Sequence, residues 1–295
     1  WHWHWHIPDL MKLLNLNRKV EKSHFLLTTL QGAMKVFYVV VLVAQYLQPI
    51  TAAKILALCA IASPSHSLWC YQYMAALAAR GHLITVLGVD KPKTEIPNLT
   101  TFIADGVYEA AYTNDTITEY SVETKIDMIY SLKFFDQIST PAVLHSKALR
   151  DLIKENENIK RPFDLIIHDH TCVHALLGLV PLFGNPPLIL ATTFGSPQWM
   201  TFRAGNIFNP AYVPSMITSA GQHMTFYQRC ENLFYYIFLE WYTRFVSEPF
   251  QDQLMREVFG SHLPHVRDIA KQANIIIVNH HFALNGPRPV LPGVV

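Results

Sequence analysis

Residues 54–62 read Lys-Ile-Leu-Ala-Leu-Cys-Ala-Ile-Ala and run directly into Ser63-Pro64-Ser65-His66. An unbroken apolar run of this length is typical of a parallel strand, because such a strand is covered on both faces of its sheet. The serines and the proline are residues expected at a turn and in the first turn of a helix. We therefore predict a buried strand that leads straight into a helix, with His66 near the start of that helix.

The predicted helix extends to about Arg80, and a second strand follows it. Gly81 is a frequent helix stop because glycine adopts left-handed backbone angles without strain. Residues 82–89 are again mostly apolar and end before Asp90. A strand, a helix and a second strand in this order open a doubly wound sheet, so the fold class predicted here is α/β.

The remainder of the chain continues to alternate apolar runs with helical patterns. We predict further strands at 99–104, 163–169, 187–193 and 274–279, and helices at 121–138, 142–156, 172–183, 227–259 and 264–272. The short apolar runs suit parallel strands that are joined by helical crossovers. A single parallel sheet with helices packed on it is therefore expected.

Composition excludes several classes of protein. The chain has 295 residues and a net charge of +1, so no basic face is expected and no nucleic-acid partner is predicted. Hydrophobic residues make up 51%, which is enough for a large core and excludes disorder over most of the length. Charged residues make up only 15%, which indicates a large buried fraction or a surface that meets another domain or a membrane. The four cysteines contain no CxxC pair, which excludes a zinc ribbon and a thioredoxin motif.

The first part of the chain has the pattern of processing segments rather than of a fold. Residues 1–33 begin with alternating Trp and His, and we interpret them as an extension that is foreign to the folded protein. Residues 34–52 combine a Met-Lys start, an apolar run and small residues at the end, as a signal peptide does, although a short buried element is the alternative. The secretory pathway, with the lumen of the endoplasmic reticulum, is the predicted location. Sequons at Asn98 and Asn114 agree with it.

His66 and Asp169 are the strongest candidates for catalysis. The positive end of the helix dipole disfavours an imidazolium in the first turn, so His66 is kept neutral as a general base requires. Asp169 ends the strand predicted at 163–169, and the carboxyl ends of parallel strands lie on one edge of the sheet. A carboxylate there can accept the imidazole Nδ1–H and stabilise the ring after it takes up a proton. A capping histidine and an ordinary turn aspartate are the alternatives.

A second cluster of polar residues follows the same strand. His168, His170, Cys172 and His174 are all residue types that bind metal ions, and a metal-dependent hydrolase that uses the three histidines is one alternative. The hydrolase pattern HxHxDH is not met, so no metal is predicted. The chain also contains no GxGxxG, GxxxxGK[ST] or GxSxG motif, so no dinucleotide fingerprint, P-loop or nucleophile elbow is predicted.

Residues 233–246 are unusually rich in aromatic side chains. Such a stretch can pack on the sheet, line an apolar ligand pocket or rest on a membrane surface. Packing in the core or a pocket is the favoured alternative.

Five short motifs, taken in order, resemble the N-terminal half of UDP-glycosyltransferases of the glucuronosyltransferase type. The motifs are Ser63-Pro64-Ser65-His66, Arg80-Gly81-His82, Phe163-Asp164 followed by Asp169, Asn-Pro-Ala-Tyr-Val-Pro at 209–214 and Asn-Gly-Pro-Arg-Pro at 285–289. The resemblance implies a two-domain GT-B architecture. Residues 53–284 would form a Rossmann-like acceptor-binding domain, and 285–295 would begin a linker to a UDP-sugar-binding domain. It also implies a small lipophilic acceptor and membrane association of the full-length protein.

The same resemblance implies roles for individual residues. His66 matches the catalytic base of the family and Asp169 matches its partner, in an inverting transfer that needs neither a metal nor a cofactor besides the UDP-sugar co-substrate. Phe194 and Tyr212 are the expected acceptor-binding aromatics.

The sequence departs from the family pattern in one large respect. The UDP-sugar signature and the C-terminal membrane helix of the family do not occur in residues 1–295. The expectation is therefore half of an enzyme, from a fragment or an incomplete gene model, that is inactive alone. A non-catalytic module that binds apolar small molecules is the alternative function.

Overall fold

The structure, a computed structural model, describes residues 34–38, 52–112, 125–195, 197–201, 205–206, 209–286 and 288–295. The chain divides into two units, Trp1–Thr51 and Ala52–Val295. In the first unit, residues 34–38 form a short solvent-exposed helix. The predicted extension at 1–33, most of the predicted signal peptide and the sequon at Asn114 lie outside the described residues.

The second unit is built on one sheet of six parallel strands in the order β3-β2-β1-β4-β5-β6. The strands are β1 (Lys54–Cys59), β2 (Leu83–Gly88), β3 (Leu99–Ile103), β4 (Leu165–Asp169), β5 (Leu188–Thr192) and β6 (Ile275–Val278). The predicted α/β class and the Rossmann-like parallel sheet are confirmed. The strand order reverses between β1 and β4, and in open sheets of this kind ligands bind beside that reversal, outside the carboxyl ends of the strands.

Helices connect and cover the strands. They are α1 (Pro64–Ala79), α2 (Val107–Ala111), α3 (Lys125–Phe134), α4 (Thr140–Leu144), α5 (Lys147–Asn156), α6 (Leu179–Leu182), α7 (Gln198–Thr201), α8 (Phe226–Tyr242), α9 (Glu248–Phe259), α10 (Val266–Ala270) and α11 (Phe282–Asn285). His174–Gly178 is a 3₁₀-helix, and Phe135–Ser139 and Thr243–Ser247 are π-helical. The helix predicted at 142–156 is two helices, because Ser146 starts α5 as its N-cap and accepts a hydrogen bond from the Leu149 amide.

Both ends of α1 follow from its local sequence. Pro64 occupies the first turn, and Ser63 stands at the N-cap with extended backbone, although its hydroxyl pairs with the Ser65 hydroxyl at 3.0 Å instead of capping the backbone. At the other end, Gly81 has a φ of +91° and its amide donates to the Ala78 carbonyl. His66 therefore lies in the first turn of α1, as predicted.

The core lies on both faces of the sheet. Leu56 and Leu58 of β1 point into the larger cluster, whereas Ile55 and Ala57 point into a second cluster that α1 covers with side chains such as Met74. This two-sided burial explains why residues 55–62 are continuously apolar and do not alternate with polar residues.

A disulfide joins Cys59, at the end of β1, to Cys70 in α1. The absence of a CxxC pair does not predict this bond. The two residues are separated by 11 positions, and cross-linking a loop of this length stabilises a fold by about 3 kcal/mol in the chain-entropy model. Cys172 and Cys230 are free, the first buried and the second exposed.

The aromatic stretch has two different sides. Tyr236 and Leu239 of α8 are buried, whereas Phe234, Ile237 and Trp241 on the opposite side are each at least half exposed. The predicted packing in the core is therefore correct for one side of the helix only. Within the described part of the chain, no helix combines the length and the apolarity that crossing a membrane requires.

The segment predicted as a linker ends against the sheet. Val294 forms a parallel bridge with Ile276 of β6 and is 4% exposed. The Ile276 amide donates to the Gly293 carbonyl at 2.7 Å. The final residues thus pack on the β6 edge of the sheet.

Candidate active site

His66 and Asp169 meet at the carboxyl edge of the sheet. β1 and β4 are parallel neighbours, so the helix that follows β1 begins beside the last residue of β4. His66 Nδ1 lies 2.7 Å from Asp169 Oδ2, and both residues are almost completely buried. The two residues that the sequence analysis placed at one edge of the sheet are therefore a hydrogen-bonded pair.

Threonines at the ends of two strands orient the carboxylate. The Thr171 hydroxyl donates to Asp169 Oδ1 at 2.7 Å, and the Thr171 amide lies 3.3 Å from the same oxygen. Thr192, the last residue of β5, lies 3.1 Å from the Thr171 hydroxyl. One carboxylate oxygen is thus occupied by Thr171, which leaves the other directed at His66.

The second nitrogen of the imidazole faces Thr193. The Thr193 hydroxyl lies 2.9 Å from His66 Nε2. Because a carboxylate only accepts hydrogen bonds, the neutral ring places its proton on Nδ1, towards Asp169, and keeps its lone pair on Nε2. The Thr193 hydroxyl then donates to Nε2. A general base needs this tautomer, with the basic nitrogen pointing away from the carboxylate.

An open apolar cleft of about 1070 Å³, which includes space open to solvent, lies beside His66 and Thr193. Its walls include Ile61, Trp69, Phe135 and Phe194. The Phe194 ring meets the imidazole edge-on, with 5.6 Å between the ring centroids. Predominantly apolar walls with a few polar groups are typical of sites for small lipophilic molecules.

The structure brings His66, Asp169 and Phe194 together but does not bring Tyr212 to them. Tyr212 is 41% exposed and lies in a turn where its amide donates to the Asn209 carbonyl. It is not among the described residues that line the cleft. The acceptor-binding role of Tyr212 stays a prediction. Thr193 was missed because a threonine after a strand carries no chemical signature of its own.

The side chains of the histidine cluster at the end of β4 contact one another and the nearby backbone. His168 and His170 approach each other with 3.2 Å between their Nδ1 atoms, and the His170 and His174 rings stack with centroids 4.1 Å apart. His174 Nε2 lies 3.3 Å from the His170 carbonyl oxygen. Among the described residues, no group of three or more histidine, cysteine or acidic side chains could hold a metal ion.

The sequence profile of the family described as "UDP-glucoronosyl and UDP-glucosyl transferase" matches residues 53–295. The chain belongs to this family. The match covers the whole sheet, both members of the His66–Asp169 pair and the cleft beside them.

Curated relatives agree with this UDP-glycosyltransferase assignment. UDP-glycosyltransferase UGT5 of Dactylopius coccus is 24% identical over 88% of this chain and 49% of its own length. UDP-glucosyltransferase 2 of the same organism is 26% identical over 82% of this chain and 46% of its own length. UDP-glucuronosyltransferase 2B13 of Oryctolagus cuniculus is 25% identical over 77% of this chain and 45% of its own length. The chain spans about half the length of the curated relatives it matches.

A second carboxylate, Asp136, is buried close to the cleft of this UDP-glycosyltransferase chain. It lies on the π-helical turn after α3 and is 4% exposed. Gln251 of α9 donates to Asp136 Oδ1 and to the Thr140 hydroxyl, and it accepts from the Ala175 amide at 2.8 Å. Burial raises the pKa of Asp136 to about 6, because hydrogen bonds from side chains offset only part of the desolvation.

Asp136 is expected to make the protein less stable as the pH rises. The folded state retains the proton up to about pH 6, whereas the unfolded chain loses it near pH 3.8. The free energy of unfolding therefore falls by about 3 kcal/mol between these values. In Asp136→Asn this part of the pH dependence disappears. Urea unfolding of both proteins at pH 4 and pH 7 measures the difference.

Asp151→Asn is the matched control, since Asp151 is a surface carboxylate paired with Lys147. Its pH dependence should parallel that of the wild type. An unchanged pH dependence in Asp136→Asn would contradict the assignment of the shifted group.

Proposed function

We propose that this chain provides the acceptor site and the general base of an enzyme that transfers a sugar from a UDP-sugar to a hydroxyl group of a small lipophilic molecule. Family membership supports sugar transfer from a UDP-sugar as the reaction class. The observation that carries the roles is the 2.7 Å contact between His66 Nδ1 and Asp169 Oδ2. His66 also lines the apolar cleft.

The proton-transfer step begins with the acceptor hydroxyl at His66 Nε2, where it takes the place of the Thr193 hydroxyl. As the acceptor oxygen attacks the anomeric carbon, its proton passes to Nε2. The new carbon–oxygen bond forms while the bond from that carbon to the UDP oxygen breaks, and UDP leaves with the electron pair. Attack from the face opposite the leaving group inverts the anomeric configuration.

Asp169 stabilises the imidazolium that forms in this step. Its carboxylate is already hydrogen-bonded to Nδ1 and held by Thr171, so no reorganisation is needed as the ring becomes charged. The apolar walls of the cleft exclude water, which would otherwise compete with the acceptor hydroxyl for the sugar.

The proposed setting is the secretory pathway. The Met-Lys start and apolar run of residues 34–52 support it, and so does the Cys59–Cys70 disulfide, because disulfides persist in oxidising compartments. In this proposal the UDP-sugar site belongs to a second domain that residues 285–295 lead to, and the full-length protein associates with a membrane.

The direct test incubates the full-length protein with UDP-glucose or UDP-glucuronic acid and with 4-phenylphenol as the acceptor. We expect one glycoside and one UDP per turnover, with a β-linked product from the α-linked donor, which proton NMR coupling constants at the anomeric centre report. An α-linked product would contradict single displacement. Binding of 4-phenylphenol without UDP release would favour a non-catalytic binding module instead.

A further inference from the structure

A small chamber adjoins the acceptor cleft. Its volume is about 350 Å³, against about 1070 Å³ for the cleft, and both figures include space open to solvent. Thr171 and Cys172 line both spaces, so the two share a wall. The π-helical turn after α3 also connects them, since Phe135 lines the cleft and Asp136 lines the chamber. The chamber therefore lies next to the acceptor cleft.

The chamber contains buried polar atoms without hydrogen-bond partners among the described residues. They are Trp199 Nε1, the Tyr242 hydroxyl and Asp136 Oδ2. The Ser247 hydroxyl also lines the chamber and lowers the pKa of Asp136, but it makes no hydrogen bond of ordinary geometry to Oδ2. The Trp199 and Asp136 residues are both at least nine-tenths buried. Buried polar groups in native proteins are almost always hydrogen-bonded, because an unmade bond costs about 1–3 kcal/mol. Three such atoms in one space indicate a site for a polar group.

The backbone around the chamber is also unusual. Phe135–Ser139 and Thr243–Ser247, the two π-helical segments within the described ranges, both contribute lining residues. π-helical turns are rare and occur frequently at functional sites. Two of them lining one space are unexpected in a region that only fills the core.

The polar atoms define what the chamber can bind. The Asp136 carboxylate accepts hydrogen bonds, and the Trp199 Nε1–H donates them. Burial and the nearby Asp136 charge raise the pKa of Tyr242, so its phenol keeps the proton and is also available as a donor. A hydroxyl is the smallest substituent that pairs with both the acceptor and the donors of the chamber, because it donates to the carboxylate and accepts from the tryptophan or the tyrosine. A ketone or an ether oxygen only accepts, and an ammonium only donates.

We propose that the chamber is a recognition subsite for acceptor molecules that carry a second hydroxyl group, remote from the one that receives the sugar. This inference rests on the proposed function, because it requires the acceptor to lie in the cleft beside His66. Asp136 is the specificity-determining residue of the subsite.

The test compares the binding of 1,10-decanediol and 10-methoxydecan-1-ol to the full-length protein without UDP-sugar, by isothermal titration calorimetry. An apolar cleft without a polar end would prefer the ether, which is the less polar of the two. We expect the diol to bind at least about tenfold more tightly, since a hydrogen bond to a buried carboxylate is at stake. The same comparison of a diol with its monomethyl ether, made with eight-carbon and twelve-carbon chains, covers other distances between the two ends of the molecule.

Asp136→Asn is the decisive variant. Its amide can keep an oxygen towards Gln251 and turn its NH₂ group to the chamber, which then presents donors only. The ratio of the two affinities should fall at least about tenfold, which a general loss of packing would not produce. Asp151→Asn, a change of the same kind on the surface, should keep the wild-type ratio.

Trp199→Phe is the second variant and keeps the proposal testable if Asp136→Asn fails to fold. It removes the N–H donor and retains an aromatic ring, so the diol should lose affinity relative to 1-decanol. Equal binding of diol and ether to the wild type, as expected for a chamber that only encloses water, would overturn the proposed subsite. It would not contradict the proposed acceptor cleft. If neither the diol nor 1-decanol binds, the acceptor cleft and the subsite are both overturned.

Discussion

His66→Ala in the full-length protein is expected to lower kcat by about 10²–10⁴-fold, because His66 is the proposed general base and removal of a positioned general base costs that much. The acceptor hydroxyl then has no group to which it can pass its proton as the bond to the sugar forms. The KM for the acceptor should change much less, since the apolar walls of the cleft remain. Steady-state kinetics with a UDP-sugar and 4-phenylphenol measure both constants.

Two further measurements make this prediction specific to the base. Added imidazole should restore part of the rate in His66→Ala, because the substitution leaves a space of the shape of the missing ring. His262→Ala, at an exposed position after α9, should keep the wild-type kcat. A wild-type kcat in His66→Ala would show that another group takes the proton.

Asp169→Asn is expected to lower kcat by about 10²–10⁴-fold while the fold stays intact. The amide can turn its NH₂ group to His66 Nδ1, which then accepts and leaves the ring proton on Nε2, where the acceptor hydroxyl must bind. Thr171 donates to Asp169 Oδ1 in the wild type and can hold the amide oxygen in the same place.

The tautomer itself can be observed. When the His66 imidazole is uncharged, its ¹⁵N chemical shifts should report a proton on Nδ1 in the wild type. In Asp169→Asn they should report a proton on Nε2. An unchanged tautomer together with an unchanged rate would remove Asp169 from the mechanism. An unchanged tautomer with a low rate would assign its effect to charge stabilisation alone.

The elements that the sequence predicts well are those defined by local pattern. Each of the six predicted strands is present and is shorter than predicted by one to three residues. Because two-sided burial produces continuous apolar runs, the parallel sheet could be recognised from residues 54–62 outward. His66 and Asp169 could be placed together because parallel strands carry their following residues to one edge.

The features that the sequence did not predict depend on contacts between distant segments. Asp136 is held by Gln251, 115 positions later, and no local pattern marks a carboxylate that will be buried. The Thr193 contact with His66 spans 127 positions. Tyr212 was selected through the resemblance alone, and the turn in which it lies does not direct it into the cleft.

The Cys59–Cys70 bond has a practical consequence for anyone who prepares this protein. Its covalent ring contains His66, so the proposed base sits on a tethered stretch of chain whose two ends are a strand and a helix. Production in the reducing cytosol of bacteria leaves the two thiols unjoined. Material made that way should be compared with material exported to the periplasm before a weak turnover is attributed to a poor substrate.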